Sequence, residues 1–301
     1  FYPIGVPGKA WTENERRQWR ASQSQQRLYG DDVLPRIMAL ADPFEILTYG
    51  QLNYAGEAYT LYAVRNGAPD QNLPTALITG GVHGYETSGV MGALQFLETR
   101  AAEYAGKANL VVAPCVSPWA YERINRWNYD AIDPNRSFYT DSPAMECAAL
   151  MTLVAAQAAS FLMHIDLHET TDSDESEFRP ALAARDGEDF VPGTIPDGFY
   201  LVDDSENSQP GFQTAIIKAV EQVTHIAPPD DDGKIIGAPM TAHGVIEYPQ
   251  TKYAMCGSMT GARFKTTTEV YPDSPRATSA ICNDAQVTAV CAALDFALAH
   301  A

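Results

Sequence analysis

The stretch Thr75–Glu98, TALITGGVHGYETSGVMGALQFLE, decides the fold. Ala76-Leu77-Ile78 is a short apolar run of the kind a buried strand uses, and Gly80-Gly81 ends it in a turn. Val90, Met91, Leu94 and Leu97 then recur at helical spacing. Strand, Gly-rich turn and helix make one unit of an open α/β sheet, and such sheets gather ligands at the carboxyl ends of their strands. His83 and Glu86 stand three residues apart at that point. Imidazole nitrogen and carboxylate oxygen both suit zinc. Glu86 has a plainer reading too, as an acid complementing the dipole at a helix start, but that leaves a histidine in a Gly-rich turn unexplained.

Working outward, Thr12 or Asn14 caps a first helix, and DDVLPRIMALA at 31–41 reads as a second, short and amphipathic. Phe44–Tyr49 and Glu57–Val64 read as a hairpin turning at Asn53–Gly56. Downstream, ANLVVA at 108–113 is a buried-type strand and 114–140 a long loop. Ala144–Ala159 is helical and Phe161–Leu167 is again a strand. Residues 171–211 read as an irregular, partly acidic surface excursion, and PPDDDG at 228–233 as a turn. Helix returns at Phe212–Val223 and Asn283–Ala301, with extended runs at Ile246–Lys252 and Lys265–Val270. Strands alternating with helices imply one α/β domain over residues 1–301, with a mixed, mostly parallel twisted sheet covered on both faces.

A third ligand candidate ends the strand FLMHIDLHE. Side chains alternate along a strand, so His164, Asp166 and His168 share a face, and His168 reaches the same sheet edge as His83 and Glu86. Two histidines and one glutamate, with a fourth position left for water, is the ligand set of a catalytic zinc. His164 reads as buried support. Asp166 either orients a ligating imidazole or pairs with a neighbouring loop. The loop SPWAYERINRWNYDAIDPNRSFY, 117–139, concentrates Arg123, Arg126 and Arg136 in an otherwise acidic protein. Guanidinium groups grip carboxylates bidentately and polarise carbonyls, although Arg123 reads better as an ion-pair partner of surface acids. His243 and Glu247 form a second pair with no third partner near.

The net charge of −18 argues against nucleic acid or an anionic membrane as partner, since both need clustered Lys and Arg. No run reaches the ~18 apolar residues of a membrane span. The five cysteines, Cys115, Cys147, Cys256, Cys282 and Cys291, are odd in number and contain no C-x-x-C. They read as buried free thiols in a reducing compartment. With no signal peptide visible, a cytoplasmic location is expected.

The motifs taken in order carry a resemblance. HGYE at 83–86 is followed by P-x-x-S-P-W-A-Y-E-R from Pro114, R-W-N and D-P-N-R-S-F at 126–138, the strand-end His168, and a glutamate in FKTTTEVY. This series, with a similar lead-in helix and hairpin, resembles the zinc carboxypeptidase family from about Tyr29 to Glu269. The DLHE form at 166–169 looks more like the family's desuccinylase and aspartoacylase relatives. The resemblance implies one zinc per chain on His83, Glu86 and His168. It implies Arg126 as the group polarising the scissile carbonyl, Asn135 and Arg136 as the grip on a substrate's carboxylate, and Glu269 as the base for the attacking water. A carboxypeptidase releasing a C-terminal amino acid is the activity expected. Deacylation of N-acylamino acids is the alternative within hydrolases, and a binding module that has lost catalysis the alternative outside them. Either substrate, peptide or N-acylamino acid, would carry a free carboxylate. The sequence departs from the family pattern at Ser117-Pro118-Trp119-Ala120 and Pro134. The family's mobile tyrosine falls on Tyr248 or Tyr253, and Arg263 is a candidate for the side-chain pocket. Oligomeric state is left open.

Overall fold

The computed structural model describes residues 2–301. Among the described residues there are ten strands: β1 (Glu45–Tyr54), β2 (Glu57–Arg65), β3 (Thr75–Gly80), β4 (Asn109–Ala113), β5 (Met163–Glu169), β6 (Tyr200–Asp204), β7 (Lys234–Ile235), β8 (Ala238–Pro239), β9 (Val245–Tyr248) and β10 (Phe264–Val270). The helices are α1 (Glu13–Ser22), α2 (Tyr29–Asp32), α3 (Leu34–Ala39), α4 (Thr87–Thr99), α5 (Pro118–Arg123), α6 (Met145–Gln157), α7 (Arg179–Asp186), α8 (Pro210–Val220) and α9 (Ser279–Ala299).

Eight strands form one sheet in the order β1-β2-β4-β3-β5-β10-β6-β9. The run β4-β3-β5-β10 is parallel, as is β6 with β9, while the leading hairpin and the β6–β10 pair are antiparallel. The mixed, mostly parallel expectation therefore holds. Period-2 alternation splits the strands between two cores. Ala76, Ile78, Leu110, Val112, Met163, Ile165 and Leu167 pack with α4, α8 and α9. Leu77, Val111 and Ala113 face Cys147, Leu150 and Val154 of α6 on the other side. A third cluster, Tyr200, Val202, Ile235 and Ile246, lies at the β6–β9 end.

Thr12 caps α1 in a capping box with Glu15. All five cysteines are buried and free. Two expectations need correction. Residues 171–211 are not irregular throughout: they hold a π turn at Asp174–Phe178, α7, and the fully buried strand β6. The acidic composition of 172–177 hid the turn, and only pairing with β10 on one side and β9 on the other makes Tyr200–Asp204 a strand. The turn expected at 228–233 is present and leads into the small β7–β8 hairpin. Finally, α9 is long and apolar enough to cross a membrane. Here it packs on α4 and α8, and its buried Gln286 bonds Thr268, Ser88 and the His168 carbonyl.

Candidate metal centre and its cleft

Parallel pairing of Gly80 with Leu167 brings the turn after β3 beside His168 at the end of β5. That turn lies directly on the backbone of α5. A Cβ at Gly84 would sit 2.0 Å from the Ala120 carbonyl carbon and the Tyr121 nitrogen, so no other residue fits. Arg27 clamps the turn from outside, with Nη2 donating to the Gly84 carbonyl (2.7 Å), Nη1 to Thr87 Oγ1 (2.8 Å) and Nε to the Tyr121 carbonyl (2.7 Å).

The helix dipole that Glu86 might have served is served instead by Glu169. Its carboxylate accepts from Ser88 N (2.7 Å) and Thr87 N (3.0 Å) at the start of α4. Glu86 is left facing two imidazoles: Oε1 lies 2.7 Å from His83 Nδ1, and Oε2 lies 2.8 Å from His168 Nδ1. All three side chains are buried, and one ligand atom from each falls within 4.8 Å of the others. The outward nitrogens are tied to carboxylates, His83 Nε2 to Asp133 Oδ1 (3.0 Å) and His168 Nε2 to Asp166 Oδ2 (2.5 Å). Carboxylate-backed imidazoles are the usual support of metal-ligating histidines, because the outer hydrogen bond fixes ring orientation and frees the inner nitrogen. Despite its closeness to His168, Glu86 Oε2 makes no aligned hydrogen bond and is buried. An orphaned carboxylate oxygen converging with two imidazole nitrogens fits a divalent cation. Burial alone would raise the Glu86 carboxyl, but the charges of His168 and His83 bring it down to about 2.

Glu269 of β10 is in register with His168 on one side and Tyr200 of β6 on the other. Its Oε2 accepts from Thr170 Oγ1 (2.8 Å), which also meets the Tyr200 hydroxyl (2.7 Å). Burial pushes the Glu269 carboxyl up to about 8, with His168 opposing and Glu86 adding to the rise. A cation on the neighbouring ligands would pull it down again. Arg126 lines the same cleft. Its Nε donates to Asp133 Oδ2 (3.1 Å), and its Nη1 to the Tyr85 hydroxyl (3.3 Å) and Asp174 Oδ1 (3.4 Å). Asn135 is buried, with Oδ1 accepting from Cys256 N (2.7 Å). Arg136 is exposed at the mouth, donating to the Asn135 carbonyl (2.6 Å) and standing 5.8 Å over the Tyr253 ring.

The cleft has a volume of about 440 Å3. Every candidate residue, His83, Glu86, His168, Arg126, Asn135, Arg136 and Glu269, contributes to its lining. Other residues weighed in the sequence do not. Arg263 lies away from the cleft, bonded to the His300 carbonyl, because it precedes β10 at the opposite edge of the sheet. His243 pairs with Glu221 and Glu247 with Ser208, so they form no second site. Arg123 is an ion-pair residue as read, but buried, against Glu57 and Glu122. His164 is buried support, 3.1 Å from Thr79 Oγ1. Of the two tyrosines, Tyr248 lines the cleft and Tyr253 stands beside Arg136.

Sequence reading missed Asp133, Thr170, Tyr200 and Asp174. Asp133 sits in the quoted D-P-N-R motif and could have been found there. Its partner lies 50 residues away, so nothing local announces the contact.

Among known proteins, the succinylglutamate desuccinylase/aspartoacylase catalytic-domain model matches residues 72–186. No curated protein matches in sequence. Solved structures match in fold. A suspected metallopeptidase of Shewanella amazonensis SB2B is 21% identical, with a TM-score of 0.66 over 87% of this chain and 89% of its own. A metallo-carboxypeptidase of Pseudomonas aeruginosa, solved with (2-guanidinoethylmercapto)succinic acid, is 16% identical with a TM-score of 0.57 over 90% and 70%. Bovine thrombin-activatable fibrinolysis inhibitor, solved with tick carboxypeptidase inhibitor, is 12% identical with a TM-score of 0.59 over 98% and 99%. The fold is therefore that of the metallo-carboxypeptidases. Within it, residues 72–186 match the desuccinylase/aspartoacylase catalytic-domain model, so the resemblance read from sequence is borne out in the fold and over that stretch.

Proposed function

We propose that the chain is a zinc-dependent hydrolase that releases a C-terminal amino acid from a peptide. The observation that carries this reading is the convergence of His83, Glu86, His168, Glu269, Arg126, Asn135 and Arg136 on one cleft. Zinc held by the three ligands would lower the pKa of a bound water toward ~7 and polarise a carbonyl. Glu269 would take a proton from the attacking water on Oε1, since Oε2 is engaged by Thr170. It then passes that proton to the departing amine nitrogen as the C–N bond breaks and the new C–O bond remains. Arg126 donates toward the carbonyl oxygen as it gains charge, a contribution that for one donor can reach roughly 3–4 kcal/mol. Arg136 and Asn135 hold the substrate's carboxylate, which confines cleavage to the chain end.

Deacylation of an N-acylamino acid is the second reading, supported by the desuccinylase/aspartoacylase match over 72–186. The same groups serve it, with the carboxylate again at Arg136. Zinc-loaded protein assayed against N-blocked dipeptides and N-acylamino acids separates the two. Turnover of dipeptides is expected; turnover of only the N-acylamino acids removes the peptidase reading. Metal analysis of protein prepared without chelator should find one zinc per chain, and none would leave a non-catalytic module.

A further inference from the structure

Three segments meet at the Tyr85 side chain. The first is the turn that carries His83 and Glu86, with Tyr85 between them in sequence. The second is the loop 117–139, fastened to that turn by Tyr85 N donating to the Asn125 carbonyl (3.0 Å), one residue before Arg126. The third is the π turn Asp174–Phe178. Phe178 packs on the Tyr85 ring, with centroids 4.6 Å apart. The Tyr85 hydroxyl donates to the Asp174 carboxylate, 2.8 Å from Oδ1 and 3.0 Å from Oδ2, and accepts from Arg126 Nη1. Asp174 differs from the other acids of its turn. Glu175 pairs with Arg179 and accepts from Gly193 N, and Glu177 accepts from the Tyr2 hydroxyl. Asp174 instead is buried and lines the cleft, with Oδ2 fixed by Thr171 N (2.8 Å).

Arg126 is thus held at two nitrogens by acids from two different segments, Nε by Asp133 and Nη1 by Asp174 together with Tyr85. A guanidinium is planar, so one anchor lets it swing and two fix its plane. Among the described residues Nη2 has no hydrogen-bond partner, and the side chain keeps 20% of its exposure in the cleft. Arg136 is the contrast: among the described residues it has no carboxylate partner and donates only to the carbonyl of Asn135. A free cation suits a carboxylate that is already charged in the bound substrate. A donor locked in place suits charge that appears only in the transition state, because it needs no reorganisation at that moment.

Resting on the hydrolase reading above, we propose that Asp174 is a positioning residue for the reaction. With Tyr85 it holds Arg126 aimed at the place where the carbonyl oxygen gains charge, and the segment 171–178 thereby belongs to the catalytic apparatus.

The test is a double-mutant cycle in the zinc-loaded protein, with N-blocked dipeptides and N-acetylamino acids as substrates. Asp174→Asn should lower kcat about tenfold to a hundredfold, the upper figure being what a ~1 Å misplacement costs. KM should hold, because Arg136 and Asn135 are untouched. In an Arg126→Ala background the same substitution should cost nothing more, since a residue that acts through another loses its effect with it. A purely structural Asp174 would lower the unfolding temperature and cost as much in both backgrounds. Tyr85→Phe removes one hydroxyl and keeps the packing on Phe178, so it should repeat the pattern at smaller size and carries the test if Asp174→Asn does not fold. Equal losses in both backgrounds, or an unchanged kcat, overturn the proposal. Calorimetry reads the same clamp without turnover. The probes are an N-blocked dipeptide phosphinate, whose P–O⁻ stands where the oxyanion would form, and N-acetyl-Phe. Asp174→Asn should weaken the phosphinate about tenfold and leave N-acetyl-Phe as it was. A wild type without turnover that shows this selective loss removes the hydrolase reading and supports the clamp. Equal phosphinate binding by wild type and Asp174→Asn removes the clamp.

Discussion

Glu86 and Glu146 are each 1% exposed, yet their surroundings drive them in opposite directions. Glu86 stands between two histidines that are themselves backed by Asp133 and Asp166, and its carboxyl is brought down to about 2. Glu146, in the first turn of α6, meets neutral groups, the Tyr54 hydroxyl at 3.5 Å and the Asn128 side chain, and its Oε1 has no aligned hydrogen-bond partner. Burial pushes it up to about 7. Removal from water costs both carboxylates heavily. What separates them is the positive charge gathered at one position and missing at the other. At the candidate metal centre the fold has arranged that compensation in advance.

The comparison can be broken at its strongest point first. Glu86→Gln keeps the shape and removes the charge, and should abolish retention of metal through gel filtration, and all activity with it. Normal metal content in that variant would show that Glu86 is no ligand. Glu269→Gln should bind metal as wild type does while kcat falls ~10²- to 10⁴-fold, the usual weight of a general base; unchanged kcat removes Glu269 from the chemistry. Asp166→Asn tests the outer support. A chelator competition should show metal held roughly 10- to 100-fold less tightly, and an unaltered affinity would leave Asp166 a packing residue.

The smallest effect belongs to Glu146. Its carboxyl titrates at 4.5 in the unfolded reference and about 7 in the fold. Between those values the folded chain holds a proton that the unfolded chain has released. Stability from this group is therefore complete below pH 4.5 and is lost as pH rises toward 7 and beyond. Such a shift corresponds to at most about 3 kcal/mol. Since an amide keeps the buried polar atoms, Glu146→Gln should gain about 1–2 kcal/mol at pH 8 and little at pH 4.5, measured by urea unfolding. Equal gains at both values would assign the effect to packing.

What the sequence disclosed follows the range of the interactions involved. The His83/Glu86 turn, the His168 strand end and the leading hairpin are written in runs of under a dozen residues, and they appear where expected. Asp166 was legible as a supporter of His168 because strand alternation places the two on one face. Glu169 as the acid at the start of α4, Thr170 as the partner of Glu269, and Tyr200 beside it were not. Each depends on a strand register that no local pattern specifies. Arg263 failed for the complementary reason: adjacency in sequence to Glu269 suggested adjacency in space, but seven residues of β10 carry them to opposite edges of the sheet.

The position of β10 also sets a schedule. It is the last strand of the chain, yet it lies in the interior of the sheet, between β5 and β6. The three candidate ligand side chains leave the ribosome well before Glu269, and the slot that Glu269 will occupy must stay open until its strand arrives. Pairing of segments so far apart is slow compared with local helix formation. A nascent or refolding chain can thus assemble the His83, Glu86 and His168 cluster before Glu269 joins it. In a refolding time course, helical signal and metal uptake should recover ahead of activity; simultaneous recovery would place β10 earlier in assembly than its position in the chain suggests.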